Sequence, residues 1–168
     1  MTLLYAANYA MLLYEARRYD EAIEFLRPVV EANPRFDQAR GILARALAAS
    51  GDLEGALAQL QARTSPGVYQ GDLGVLFAKM GRRDDALSEI ARLEERGRHG
   101  FGVAYDQALI YTALGDLDRG CEKLALALTD HSVLVNWMRL DPPLDPLRGR
   151  QCYADVDKRL YGDKGTGE

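Results

Sequence analysis

The chain is poor in the residues that do most enzyme chemistry. Its 168 residues include two cysteines, two histidines and one tryptophan. Neither His99 nor His131 has a histidine, cysteine or carboxylate at metal-ligand spacing, so a zinc or similar site has nothing to build on. Cys121 and Cys152 share no close spacing. They read as a packed thiol and a half-exposed thiol rather than as a disulfide or a metal pair. An excess of basic charge is also missing. Lysine and arginine number 21 against 25 acidic residues, for a net charge of −4. A nucleic-acid backbone needs a basic surface, so nucleic acid is excluded as the main partner. No apolar run approaches the roughly 20 residues that span a bilayer, so no membrane partner is expected. The apolar stretch from Thr2 to Leu13 is short, with neither a basic leader nor a small-residue cleavage site, and does not read as a signal peptide. The expected location is cytoplasmic, or periplasmic if the chain is a piece of a membrane-bound regulator.

What remains offers no catalytic constellation. The adjacent pairs Asp84-Asp85 and Glu94-Glu95 fall on one predicted helix, where neighbours point about 100° apart and cannot share a proton. The glycines between Gly97 and Gly102 lack the lysine and the serine or threonine of a phosphate-binding loop. The chain is therefore read as a non-enzyme with no cofactor and no metal.

The informative feature is an internal repeat. Ala22, Ala56, Ala86 and Gly120 each open an apolar helical pattern, with Ile23, Leu57, Leu87 and Cys121 next and Leu26, Leu60, Ile90 and Leu124 four residues on. Twelve residues before each anchor stands another small residue: Ala10, Ala44, Gly74 and Ala108. Nine before stands a large apolar one: Leu13, Leu47, Phe77 and Tyr111. Five before stands Gly51, Gly81 or Gly115, with Arg17 in the first copy. Small residues let two antiparallel helices approach closely, and apolar residues three and four apart face the core. The glycine ends the first helix in a left-handed turn. Asp52 and Asp116 follow their glycines and are placed to cap the second helix.

These residues resemble the tetratricopeptide repeat family, over about Leu3 to Ser132. The anchors lie 34, 30 and 34 residues apart, against a family period of 34. The resemblance implies an all-α fold, a right-handed α-solenoid of four helix hairpins followed by C-terminal capping helices. The repeats are expected at 3–36, 37–66, 67–100 and 101–132, with a cap over 133–161 and a disordered tail over 162–168. In the short second repeat, the cluster Thr64-Ser65-Pro66-Gly67 predicts that the fourth helix stops before Pro66, with a local break in superhelical regularity. In the cap, Ser132 to Leu140 reads as a short apolar helix. Asp141-Pro142-Pro143-Leu144-Asp145-Pro146-Leu147-Arg148 reads as a rigid extended turn that lays Leu144 and Leu147 over the end of the stack. Gln151 to Tyr161 reads as an amphipathic helix. The Asp-Pro-x-x-Asp-Pro-Leu-Arg pattern resembles the end of the repeat regions of certain bacterial signalling and transcription regulators.

The resemblance implies a protein-interaction module, an adaptor, scaffold or sensor part of a larger regulator, that holds a peptide or helix in a concave groove. The groove-facing residues it implies are Asn8, Met11, Gln38, Ile42, Arg45, Asp72, Tyr105, Asp106 and Leu109, with Val68 beside them. Asp72 and Asp106 suggest a basic residue in the partner, unless Arg45 and Asp72 pair with each other across adjacent repeats. The family's two-carboxylate clamp for acidic tails is not expected, because Ala7, Met11, Ile42, Val68 and Asp72 stand at its positions. The alternative reading is a self-association module that forms a homodimer or larger assembly.

Overall fold

A computed structural model describes residues 2–65 and 70–162. Among the described residues there are nine α-helices, two 3-10 helices and no strand. Four hairpins come first. They are α1 (Leu3–Glu15) with α2 (Tyr19–Ala32), α3 (Asp37–Ser50) with α4 (Leu53–Gln61), α5 (Asp72–Lys79) with α6 (Arg83–Gly97), and α7 (Ala104–Ala113) with α8 (Leu117–Leu126). Two 3-10 helices, Val133–Trp137 and Pro142–Leu147, lead to α9 (Gln151–Tyr161). No helix among the described residues is long and apolar enough to cross a membrane. The expected disordered tail falls, from residue 163 on, outside the described residues.

Every small anchor is buried. Ala10, Ala22, Ala56, Ala86 and Ala108 have no exposed surface, Ala44 has 1%, and Gly74 and Gly120 are closed in as well. The approach at Gly120 is backbone-close, since a Cβ there would stand 2.8 Å from Thr112 Oγ1 and 3.6 Å from the Ala108 carbonyl. Larger side chains at these crossings would push the paired helices apart. Leu26, Leu60, Ile90 and Leu124 then bury the apolar stripe of each second helix.

The turn inside each hairpin is closed by one recurring hydrogen bond. The N–H of Arg18, Asp52, Arg82 and Asp116 donates to the carbonyl of Leu13, Leu47, Phe77 and Tyr111 at 2.9, 2.9, 2.8 and 2.9 Å. This six-residue closure needs a left-handed residue just before the donor. Gly51, Gly81 and Gly115 supply it with φ of 100°, 74° and 78°, and Arg17 adopts it at φ 63° despite its side chain. Asp52 and Asp116 cap α4 and α8 by accepting from the Gly55 and Arg119 amides at 2.8 and 3.2 Å.

Helix α4 ends at Gln61, well before Pro66. Its exit is held by Asp37, which accepts from the Thr64 amide, the Thr64 hydroxyl and the Ser65 amide at 3.0, 2.6 and 2.9 Å.

Ser132 to Leu140 contains a short helix as expected, of 3-10 type, Val133–Trp137. The C-terminal region departs from expectation in two respects. The Asp-Pro segment is not extended. Pro142 to Leu147 forms a second 3-10 helix, in which the Leu144 amide donates to the Asp141 carbonyl at 3.2 Å. Proline at the first positions of a helix loses no needed donor, and its fixed φ is already helical. Leu144 and Leu147 are wholly buried, in a cluster with residues of α7, α8 and α9. Finally, Cys121 and Cys152 are not separate thiols but a disulfide. Thirty-one residues divide them in sequence, yet α9 packs on α8 and brings their Cα atoms to 5.6 Å, inside the range a disulfide bridges.

The disulfide ties the last repeat to the cap. Replacing both cysteines by serine is expected to lower stability by about 3 kcal/mol, measured by urea unfolding. Thiol titration of the untreated native chain is expected to find neither cysteine reactive.

Candidate functional site

The first helices of the hairpins lie side by side, α1 on α3, α3 on α5 and α5 on α7. Together they form the inner face of the stack. Its middle is a buried network of charges that draws on three hairpins and the C-terminal segment. Arg45 on α3 donates from Nε to Asp72 Oδ1 on α5 at 2.8 Å, and its Nη1 pairs with Asp141 Oδ1 at 3.5 Å. The other oxygen of Asp72 takes Arg63 Nη1 at 3.2 Å. The other oxygen of Asp141 accepts from the Tyr105 hydroxyl on α7 at 3.0 Å. Tyr14 on α1 lays its ring against the Arg45 guanidinium, 5.7 Å from ring centre to Cζ. Nearby, Asp106 Oδ1 accepts from the Gly71 amide at 2.9 Å, at the start of α5.

The C-terminal segment thus crosses the inner face as well as closing the end of the stack. Beyond Asp141, its Asp145 accepts from Arg17 Nη2 at 2.8 Å, 128 residues away in sequence, and from Arg148 at 2.7 Å. Arg17 stands in the left-handed turn of the first hairpin. The strap therefore reaches from the fourth repeat back to the first.

Burial sets the protonation behaviour of the network. It drives Asp106 up to about 7, against the Gly71 hydrogen bond and with help from the charge of Asp72. Burial likewise raises Asp141, with Arg45 and Tyr105 pulling the other way. Two guanidinium groups, Arg45 and Arg63, thus face two carboxyl groups, Asp72 and Asp141. At the surface, burial pushes Asp145 upward, but hydrogen bonds from Arg17 and Arg148 outweigh it and hold the carboxyl below its usual value.

The residues expected to face a groove divide into three groups. Ile42, Arg45, Asp72, Tyr105, Asp106 and Leu109 lie on the inner side but are buried, at 1, 9, 8, 1, 3 and 1% exposure. Met11 is half-buried, in a small recess with Trp137 and Asp141. Asn8 and Gln38 are exposed and stand apart from the network. Val68 lies outside the described residues. Both oxygens of Asp72 and Oδ1 of Asp106 are engaged within the chain, and the Arg45–Asp72 pairing across repeats is present. Arg63, Asp141 and Asp145 were not among the residues the groove pattern pointed to. For Asp141 and Asp145 the signal in sequence was the pair of Asp-Pro steps, which did not reveal what they would touch; for Arg63 there was none.

This face also has open space. A cavity of about 210 Å³ lies between α3, α5 and the turn of the strap. Ala44, Ala48, Val75 and Leu76 form its apolar wall, and Arg17, Lys79, Pro143 and Asp145 are among the residues around it. Lys79 is exposed and makes no ion pair among the described residues.

Helix hairpins with small residues at each crossing, stacked so that their first helices share a face, define a helical-repeat protein. Residues 13–67 of the chain match the tetratricopeptide repeat family. The match runs from the end of α1 through α4, and the hairpins α5–α6 and α7–α8 repeat its register of small residues and its turn closure. Such repeats are typically non-catalytic modules of protein–protein interaction. No curated protein and no solved structure matches the chain.

Two outcomes are expected. Replacing Arg45 by methionine keeps volume but removes the cation shared by Asp72 and Asp141, leaving each with one partner fewer in the interior, and should destabilise the fold by about 3 kcal/mol, read from urea midpoints. The pH effect of Asp106 follows from its raised value. The folded chain keeps a proton there that the unfolded chain releases between about pH 4 and 7, so this group subtracts stability as pH rises through that window. Asp106→Asn retains the acceptor for the Gly71 amide and removes the titration. Relative to the parent chain it should gain a few kcal/mol between pH 5 and pH 8, measured by unfolding at both values.

Proposed function

We propose that the chain is a protein-interaction module that grips its partner at the inner-face cavity beside the strap. The supporting observation is the cavity itself. Ala44, Ala48, Val75 and Leu76 make one side of it apolar, Arg45 and Asp72 line another, its volume of about 210 Å³ suits a large side chain, and Lys79, which makes no ion pair among the described residues, stands beside it. The partner is a polypeptide that seats a leucine, phenylalanine or similar side chain between α3 and α5, with an acidic neighbour on Lys79. Peptide recognition by an apolar pocket with one orienting charge is a common division of labour. The buried Arg45 network has a different part in this reading, which is to hold α3, α5 and the strap at the separation that leaves the cavity open.

The Asp-Pro strap supports a place within a larger signalling protein, because a segment of that pattern resembles the end of such repeat regions. The Cys121–Cys152 disulfide supports an oxidising compartment, where such bonds persist, over the cytoplasm.

Panning a displayed peptide library on the native chain tests the binding mode. Enriched peptides are expected to carry a large apolar residue beside an acidic one. Ala48→Phe, which fills the cavity from a half-buried position, is expected to weaken them at least tenfold with little change in thermal stability. Lys79→Glu should weaken them by a similar factor. Peptides that bind Ala48→Phe as well as the native chain would rule the cavity out.

A further inference from the structure

Helix α1 carries an exposed apolar face, touched at one edge by Phe25 of α2, whose ring centre lies 5.0 Å from that of Tyr9. Leu4, Tyr5, Tyr9 and Leu12 are exposed at 59, 68, 48 and 63%. With Asn8 they lie within an arc of about 140° on the helix. From Leu3 to Tyr14 the helix contains no charged residue. Single exposed apolar residues are ordinary, but a contiguous patch of two tyrosines and two leucines is not.

The repeat itself shows what such a face is for. Aligning Ala10 with Ala44 places Tyr5, Asn8, Tyr9 and Leu12 at the positions of Ala39, Ile42, Leu43 and Ala46 on α3. All four of those are at most 2% exposed, and α3 is packed by α1 and α2 of the hairpin before it. Aligning Ala10 with Ala108 gives Val103, Asp106, Gln107 and Ile110, which are again buried. The inter-repeat interface of the stack therefore continues onto α1, where Leu4, Tyr5, Tyr9 and Leu12 keep about half or more of their surface exposed among the described residues.

We infer that this face is where a second copy of the chain docks, α1 against α1 in a two-fold pair. The open side chains offer on the order of 500 Å² per copy, or about 1,000 Å² for the pair, the size at which specific interfaces begin. A two-fold contact places a patch on itself, and an uncharged helix face meets its copy without repulsion. Asn8 lies near the middle of the helix. Its side-chain amide both donates and accepts, so it can pair with its twin across the axis, and one polar residue in an apolar seam fixes register. The contact leaves the inner-face cavity untouched, so this inference does not depend on how that cavity is used.

Light scattering coupled to size exclusion on the native chain is expected to give twice the 18.6 kDa chain mass at about 100 µM, a concentration at which a pair of this area should form. Tyr5→Glu with Leu12→Glu places charge in the seam and should return the monomer, weakening the pair at least tenfold with the helical circular dichroism unchanged. Asn8→Cys should form a covalent dimer on mild oxidation, since its twin faces it. A monomeric native chain would leave the face to some other polypeptide and overturn the inference. So would a dimer indifferent to the double substitution, or an Asn8→Cys chain that stays uncrosslinked. Should the glutamate variant fail to fold, the oxidation of Asn8→Cys decides alone.

Discussion

Close approach of paired helices is the constraint on which the rest of this chain depends. Ala10, Ala44, Gly74 and Ala108 on the first helices, with Ala22, Ala56, Ala86 and Gly120 on the second, are all buried. A helix crossing leaves room for little more than a methyl group when the axes come this near. Once the crossings are set, the turn has one way to close. The same amide-to-carbonyl bond recurs in all four hairpins, onto Leu13, Leu47, Phe77 and Tyr111. Packing and turn geometry thus specify the same register independently, which is the consistency expected of a sequence with one fold.

The inner face shows how a repeat stack acquires a centre. A solenoid binds its neighbours one by one, and nothing in that scheme joins its first hairpin to its last. Here the strap does so. Asp141 lies between Arg45 and Tyr105, and Asp145 reaches Arg17 at the first turn. Buried ion pairs recover their desolvation cost only when each charge is met, and breaking one is costly. Their value is positional. They hold the strap against α3 and α7 and leave the adjoining space between α3 and α5 unfilled. Arg17 belongs to the same scheme. It takes a left-handed conformation that its counterparts assign to glycine, and its guanidinium is what Asp145 meets. The departure from the glycine pattern in the turns thus falls at a turn the strap touches.

The fold was largely legible in the residues. Periodicity and small-residue spacing identified the hairpins, and Pro66 and its neighbours marked the early end of α4. The binding face was legible only as a set of positions. Register placed Arg45, Asp72, Tyr105 and Asp106 on the inner side, and that placement holds, but register carries no information on exposure. Six of the nine residues expected to meet a partner are covered. The 3-10 geometry of Pro142 to Leu147 went unread because consecutive prolines suit an extended chain and the first turn of a helix equally well.

Local chemistry along the chain was enough to determine which residues of the four hairpins are helical, where each hairpin turns and which side of each helix is apolar. These depend on contacts within a few residues or at the fixed repeat period. Only the tertiary structure decided that Cys121 meets Cys152, that Asp141 meets Arg45 and that Asp145 meets Arg17. Those partners are 31, 96 and 128 residues apart, and no periodicity relates them. They come together because the cap turns back over the inner face, a path set by where Leu144 and Leu147 find apolar cover and not by any pattern along the sequence.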